Sequence, residues 1–217
     1  MLLEWNWKDF DMYVPKVFKQ RDIQSMVELM RQNSLATFIS SDADSGELNA
    51  EHLPLLVDFA DDSNVVWRGH FAKSNPVWKS LNSEQDVLVV FQGSQSYISP
   101  NWYPSKKIDG KAVPTWNYSS VHAKGRVEFI HEPQWILALL QELTDVHEKN
   151  QVQPWTVSDA PQAFVDSLIK AVVGVQIVVD EIIGKEKLSQ NQSLENRQGV
   201  KSGLVEEAHE MSGLIDL

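Results

Sequence analysis

Apolar residues recur along this chain in two rhythms, and the rhythms divide it into segments. Ile23, Met26, Val27 and Met30 follow the period of a helix. Asp22 stands where its carboxylate can accept from the first free N–H groups, which predicts a helix over 22–32. Short runs rich in β-formers follow at 35–40, 48–58, 64–71 and 86–92, and the turn-forming stretches 42–46 and 61–64 separate the first three as antiparallel hairpins. Asn75-Pro76 opens a short helix carrying Val77, Trp78 and Leu81, because proline suits the first helical position.

The second half changes rhythm more slowly. A loop over about 100–112 leads into a strand over 113–130, long enough to bend around a barrel. Residues 132–150 place Ile136, Leu137, Leu139, Leu140, Leu143 and Val146 on a wide apolar helical face, with Pro133 in the first turn. Another helix begins near Pro161 and is expected to turn Phe164, Val165, Leu168 and Ile169 inward. The β-branched run 173–183 reads as a buried strand, and the polar tail from Lys185 ends in a weak helix over 203–211. Strands and helices do not alternate as in a doubly wound sheet. The expected fold is therefore mainly β with peripheral helices, in barrel form, without internal repeat or linker.

Composition narrows the chemistry. A chain of 217 residues with 42% hydrophobic content suits one domain rather than two. No apolar run reaches membrane-spanning length and the N-terminus lacks the basic-then-apolar order of a signal peptide, so a cytoplasmic protein without membrane association is expected. The absence of cysteine removes disulfides, thiolate nucleophiles and cysteine-ligated metals. Fingerprints for dinucleotides, P-loops, zincins and serine hydrolases are missing, and the six histidines form no local metal-ligand pair. A net charge of −11 opposes nucleic acid at long range, and no helix–turn–helix with a basic recognition helix is visible. Yet Arg68, His70, Lys73, Lys79, Lys106, Lys107, Lys111, His122, Lys124 and Arg126 concentrate mid-chain, which fits a small anionic ligand.

Three clusters could carry chemistry. In the first, Arg68, His70 and Lys73 supply cationic donors and Ser74 and Asn75 neutral ones beside a helix start, a combination suited to phosphate; a solvated hairpin corner is the alternative. In the second, Tyr97, Trp102, Tyr103, Trp116 and Tyr118 accompany Asn101, Asn117 and Thr115, so that rings could stack on a conjugated ligand or bury a dimer interface. The third is the strand segment around His52, whose side chain could contact a ligand edge or serve as a structural histidine.

Met12-YVPKVF, AEHLPL, RGHFAKSNPVW, FQGSQSYISPNWYPSK, VPTWNYSSVHAKG and KLSQNQSLENRQGV resemble, in this order over about residues 12–204, the PaiB family of FMN-binding transcriptional regulators. The resemblance implies an FMN-binding split β-barrel of the flavin reductase and pyridoxamine-phosphate oxidase type, a homodimer with flavin between subunits. It assigns 12–184 to the barrel with a helical insert at about 132–172, 1–11 to an extension and 185–217 to a tail. It also implies phosphate binding at the segment 68–75, where the residue types already point. The cofactor-binding set is then Arg68, His70, Lys73, Ser74, Asn75, His52, Trp102, Trp116 and Asn117, with FMN the expected cofactor, no metal and no assigned catalytic residue. Negative regulation of transcription, by an indirect route since direct DNA binding finds no support, is the implied function. A flavin-dependent oxidoreductase is the alternative, and haem binding through His52, His70 or His122 a third reading. Gln192 departs from the arginine usual in the family's KLSQNR, with Arg197 nearby as a substitute cation.

Overall fold

A computed structural model describes residues 12–59, 65–83 and 85–217. The expected extension at 1–11 and the turn at 61–64 lie outside the described residues. The described residues form eight strands: β1 (Lys19–Gln20), β2 (Leu35–Ser41), β3 (Leu48–Pro54), β4 (Leu56–Phe59), β5 (Val65–Ala72), β6 (Gln85–Ile98), β7 (Thr115–Ile130) and β8 (Val172–Lys187). The α-helices are α1 (Ile23–Gln32), α2 (Lys106–Asp109), α3 (Pro133–Glu148), α4 (Gln162–Ala171) and α5 (Leu194–Glu206), with short 3-10 turns between.

This is a mixed α/β fold with helix and strand in roughly equal measure, and its sheet is open. The strand order is β3-β2-β6-β7-β8-β5-β4 with β1 added to β8, so the path ends at β3 and β4 without closing. The expectation of a mainly β split barrel is thereby corrected. A local cause lies in the run expected as one strand over 48–58. It breaks at Leu55, whose N–H donates to Ser34 O at 2.9 Å. Upstream of the break β3 pairs with β2, and downstream β4 pairs with β5. One apolar run thus supplies both ends of the sheet.

The chain divides into two compact units. The first comprises Val27–Phe91 and Ala123–Ile182. Its strands alternate buried and partly exposed positions, most regularly in β5, as one covered face demands. Trp67, Phe38, Phe71 and Phe91 are fully buried, and Trp67–Phe91 and Phe38–Phe71 meet edge to face at 5.0 and 5.5 Å. Pro133 opens α3, where a missing N–H costs nothing. Ile136 of α3 packs with Val165 and Ile169 of α4, while Leu139 and Leu143 pack on Leu56 of β4. In α4 only half the expected inward set is covered: Val165 and Ile169 are buried, whereas Phe164 and Leu168 are about half exposed at 55% and 46%.

Among the described residues the second unit comprises 12–26, 92–122 and 183–217. The Asp22 carboxylate accepts from Ser25 N at 2.8 Å, the expected cap of α1. The tail is more ordered than its composition suggested. Ser193 caps α5, and Val200 and Leu204 join Ile98, Tyr103, Leu188, Met211 and Ile215 in one apolar cluster. Trp102 lies directly against Gly199 and Gly203 of α5, where any larger side chain would collide with it.

Candidate functional site

The alternation of β5 puts Arg68 and His70 on one face. Arg68 is opposite Leu56 of β4 and Gln176 of β8, and His70 is opposite Gly174. Helix α3 lies over this face, with Trp135 against the bare backbone of Gly174 and Leu139 and Leu143 on Leu56. Glu142 extends from the same helix to Arg68. The guanidinium donates from Nε to Asp58 at 2.5 Å and through both terminal nitrogens to the two Glu142 oxygens at 3.2 and 2.5 Å. These carboxylates, Glu142 before Asp58, raise the Arg68 pKa further above its ordinary value. Arg68 is therefore committed to a fork of two acids, and an incoming phosphate would have to compete with both.

His70 is half-buried, and among the described residues its Nδ1 has no hydrogen-bond partner. Burial lowers its pKa, because charging the ring there would forfeit hydration. The imidazole is thus held neutral at physiological pH and offers a neutral nitrogen rather than a cation.

The turn after β5 is built from its own backbone. Lys73 N donates to Ala171 O at 2.8 Å, and Trp78 Nε1 donates to Lys73 O at 3.2 Å. The Asn75 side-chain oxygen accepts from Val77 N at 2.9 Å, so that oxygen serves the short 3-10 turn Val77–Lys79. Ser74 is exposed and Lys73 half-buried, leaving an ammonium and a hydroxyl at the surface of this corner. His52 stands exposed on β3 opposite Thr37.

The remaining expected residues belong to the second unit. Asn117 is fully buried and exchanges hydrogen bonds with Ser189, its amide donating at 2.9 Å. Ser189 has φ of 66°, a left-handed conformation that costs a non-glycine residue and that this side-chain pair helps to hold. Trp102 is wedged on α5, whereas Trp116 is 54% exposed and meets Tyr97 edge to face at 6.2 Å. The structure thus joins Arg68 and His70 beneath α3 and sets Lys73, Ser74 and Asn75 in the following turn. Glu142 and Ser189 are not legible in the sequence because their partners are distant in the chain, 74 residues for Arg68 and Glu142 and 72 for Asn117 and Ser189, whereas Asp58, ten residues from Arg68, is placed by the β4–β5 pairing. Among the described residues no group of three or more His, Asp or Glu side chains is placed to hold a metal. None of the described helices is long and apolar enough to cross a membrane.

The family described as "Putative FMN-binding domain" matches residues 12–181. Protease synthase and sporulation protein PAI 2 of Bacillus subtilis is 35% identical over 185 residues, covering 84% of each chain. Among solved structures, the FAD and haem binding protein of Mycobacterium smegmatis is similar with a TM-score of 0.55 at 13% identity, covering 85% of this chain and 80% of that one. The flavocytochrome Anf3 of Azotobacter vinelandii is similar at 0.52 and 14%, covering 83% and 75%. At such identities the structural likeness speaks for fold alone.

Proposed function

The chain belongs to the PaiB-type FMN-binding domain family, and from that premise we propose that it binds a flavin mononucleotide and acts as a flavin-dependent redox protein of flavin reductase or pyridoxamine-phosphate oxidase type. The observation that carries this reading is the family match, which spans residues 12–181. Lys73 and Ser74, with the Asn75 amide, are the residues proposed to hold the phosphate, since they present donors at the surface while the Arg68 fork is occupied. A bound flavin supplies reversible acceptance of hydride or single electrons, and the protein's part is to anchor and orient it. His70, half-buried and with its pKa lowered by desolvation, is suited to shaping the neighbourhood rather than to neutralising phosphate.

A titration of the purified protein with FMN, followed by quenching of flavin fluorescence, tests the reading. Saturable binding that weakens in Lys73→Ala supports it, and oxidation of NADH or NADPH with flavin present assigns the redox class. Binding without turnover would favour the second reading, a flavin-holding regulator that acts indirectly, for which the likeness to PAI 2 speaks. The same proposal includes a homodimer, which sedimentation of the purified protein checks.

A further inference from the structure

Lys19 and Lys185 are register partners in the antiparallel β1–β8 pair, which puts two like charges directly opposite on one face. Lys187, two residues along β8, returns to that face. Its ammonium donates to Trp116 O at 2.8 Å and to the Thr115 hydroxyl. The Lys185 ammonium donates to Tyr13 O at 3.0 Å and lies 5.9 and 5.2 Å from the ring centres of Tyr13 and Tyr118. The partners of both ammonium groups are therefore neutral oxygens and aromatic faces.

His122 lies four residues beyond Tyr118 on β7, on the face that alternation gives Tyr118. Its pKa is lowered first by burial and then by the Lys185 charge. The Lys187 pKa is lowered too, by desolvation and then by Lys185, with Tyr118 opposing. Glu186, between the two lysines in sequence, turns to the opposite face, where it accepts from Gln20 Nε2 at 2.7 Å. On that opposite face Gly184 lies against Met26 of α1. In a chain of net charge −11, the partners of Lys185 and Lys187 given above are neutral, and the acid at an alternate position of β8, Glu181, is ion-paired with Lys124 at 3.4 Å, so an anion would offset the cost of holding the two half-buried cations together.

We propose that this face of the second unit binds a small oxyanion, a phosphoryl or carboxylate group, between Lys185, Lys187 and His122. Lys185 and Lys187 supply the charge, Tyr13 and Tyr118 hold Lys185 in place, and His122 gains a proton as the anion arrives. The site lies in the unit that does not contain Lys73, so it does not rest on the flavin reading.

The experiment is a titration of the wild-type protein with inorganic phosphate near neutral pH at constant ionic strength, following the ring resonances of His122 by NMR. The expected result is a saturable shift toward the protonated position, retained in Lys185→Arg and weakened about tenfold or more in Lys185→Ala. A shift that never saturates, or that is the same in Lys185→Ala, overturns the proposal. Citrate saturating more tightly than phosphate would assign the carboxylate class, and the reverse order the phosphoryl class. Once the site is saturable, competition separates two sources of a phosphoryl group. FMN displacing phosphate where riboflavin does not makes the site the seat of the flavin's own phosphate; FMN leaving His122 unchanged assigns it to a second ligand. A protein without flavin affinity leaves the phosphate titration intact, so the two readings fail separately.

Discussion

Arg68 shows how far residue type alone can carry a functional assignment. Beside His70 and Lys73 it is legible in the sequence as a phosphate donor, yet its planar fork meets Asp58 and Glu142, and Glu142 comes from a helix more than seventy positions away. Sequence reports donor chemistry but not prior occupancy, which here depends on how α3 lies over β5. Replacing Arg68 by alanine leaves two half-exposed carboxylates facing each other, so the loss is bounded by solvation. We expect a decrease of about 1–2 kcal/mol in a urea unfolding experiment, against little change for Lys73→Ala. Flavin affinity should show the opposite order if Lys73 is the anchor. His70 adds a pH dependence whose sign follows from its lowered pKa. Between the ordinary histidine value of 6.5 and the lower folded value, the unfolded chain binds a proton that the folded one refuses. The stability conferred by the neutral ring is thus complete above that ordinary value and is lost as pH falls below it. Urea midpoints measured from neutral to mildly acidic pH should decline, and His70→Gln should flatten that decline.

At the scale of elements, periodicity located α1, α3 and β5 well because each has one covered face. It misjudged the segments whose burial is decided by a neighbour. In α4 the apolar stripe is wider than the surface available to cover it, so Phe164 and Leu168 remain half exposed. Helix α5 was barely visible, since Asn196, Gly199 and Gly203 interrupt any apolar stripe. Those same glycines explain the helix once its partner is known, because they let the backbone approach Trp102. Alanine at an exposed helical glycine gains up to about 1 kcal/mol from propensity. At Gly199 the new methyl would meet the carbonyl oxygen of Trp102, a backbone atom that cannot move aside alone. The sign should therefore reverse: Gly199→Ala is expected to destabilise by roughly 1–3 kcal/mol and to alter Trp102 emission. An unchanged or raised melting temperature would refute this account of how α5 docks.

On the scale of the whole molecule, charge is the property read most directly from sequence, and it bears on whether this chain could meet nucleic acid at all. Nonspecific affinity for DNA arises from lysines and arginines that release phosphate counterions, and it weakens steeply with salt. Here 30 acidic side chains face 19 basic ones. Several of the basic ones are already engaged, Arg68 with Asp58 and Glu142, Arg126 with Asp180 and Lys124 with Glu181. Among the described helices, α5, the helix of the tail, carries both Glu195 and Glu206, and its Arg197 and Lys201 donate to the carbonyls of Asp216 and Ile215. A protein so charged should show no mobility shift with duplex DNA at physiological salt, and adding FMN, itself an anion, should not create one. Should a salt-sensitive complex form, the cations around Lys185 would be the first place to look, and Lys185→Ala should then weaken the complex and reduce its salt dependence together. With no complex, any regulation must pass through a ligand or a protein partner, and the oxyanion face and the flavin corner become the two places where such a signal could enter.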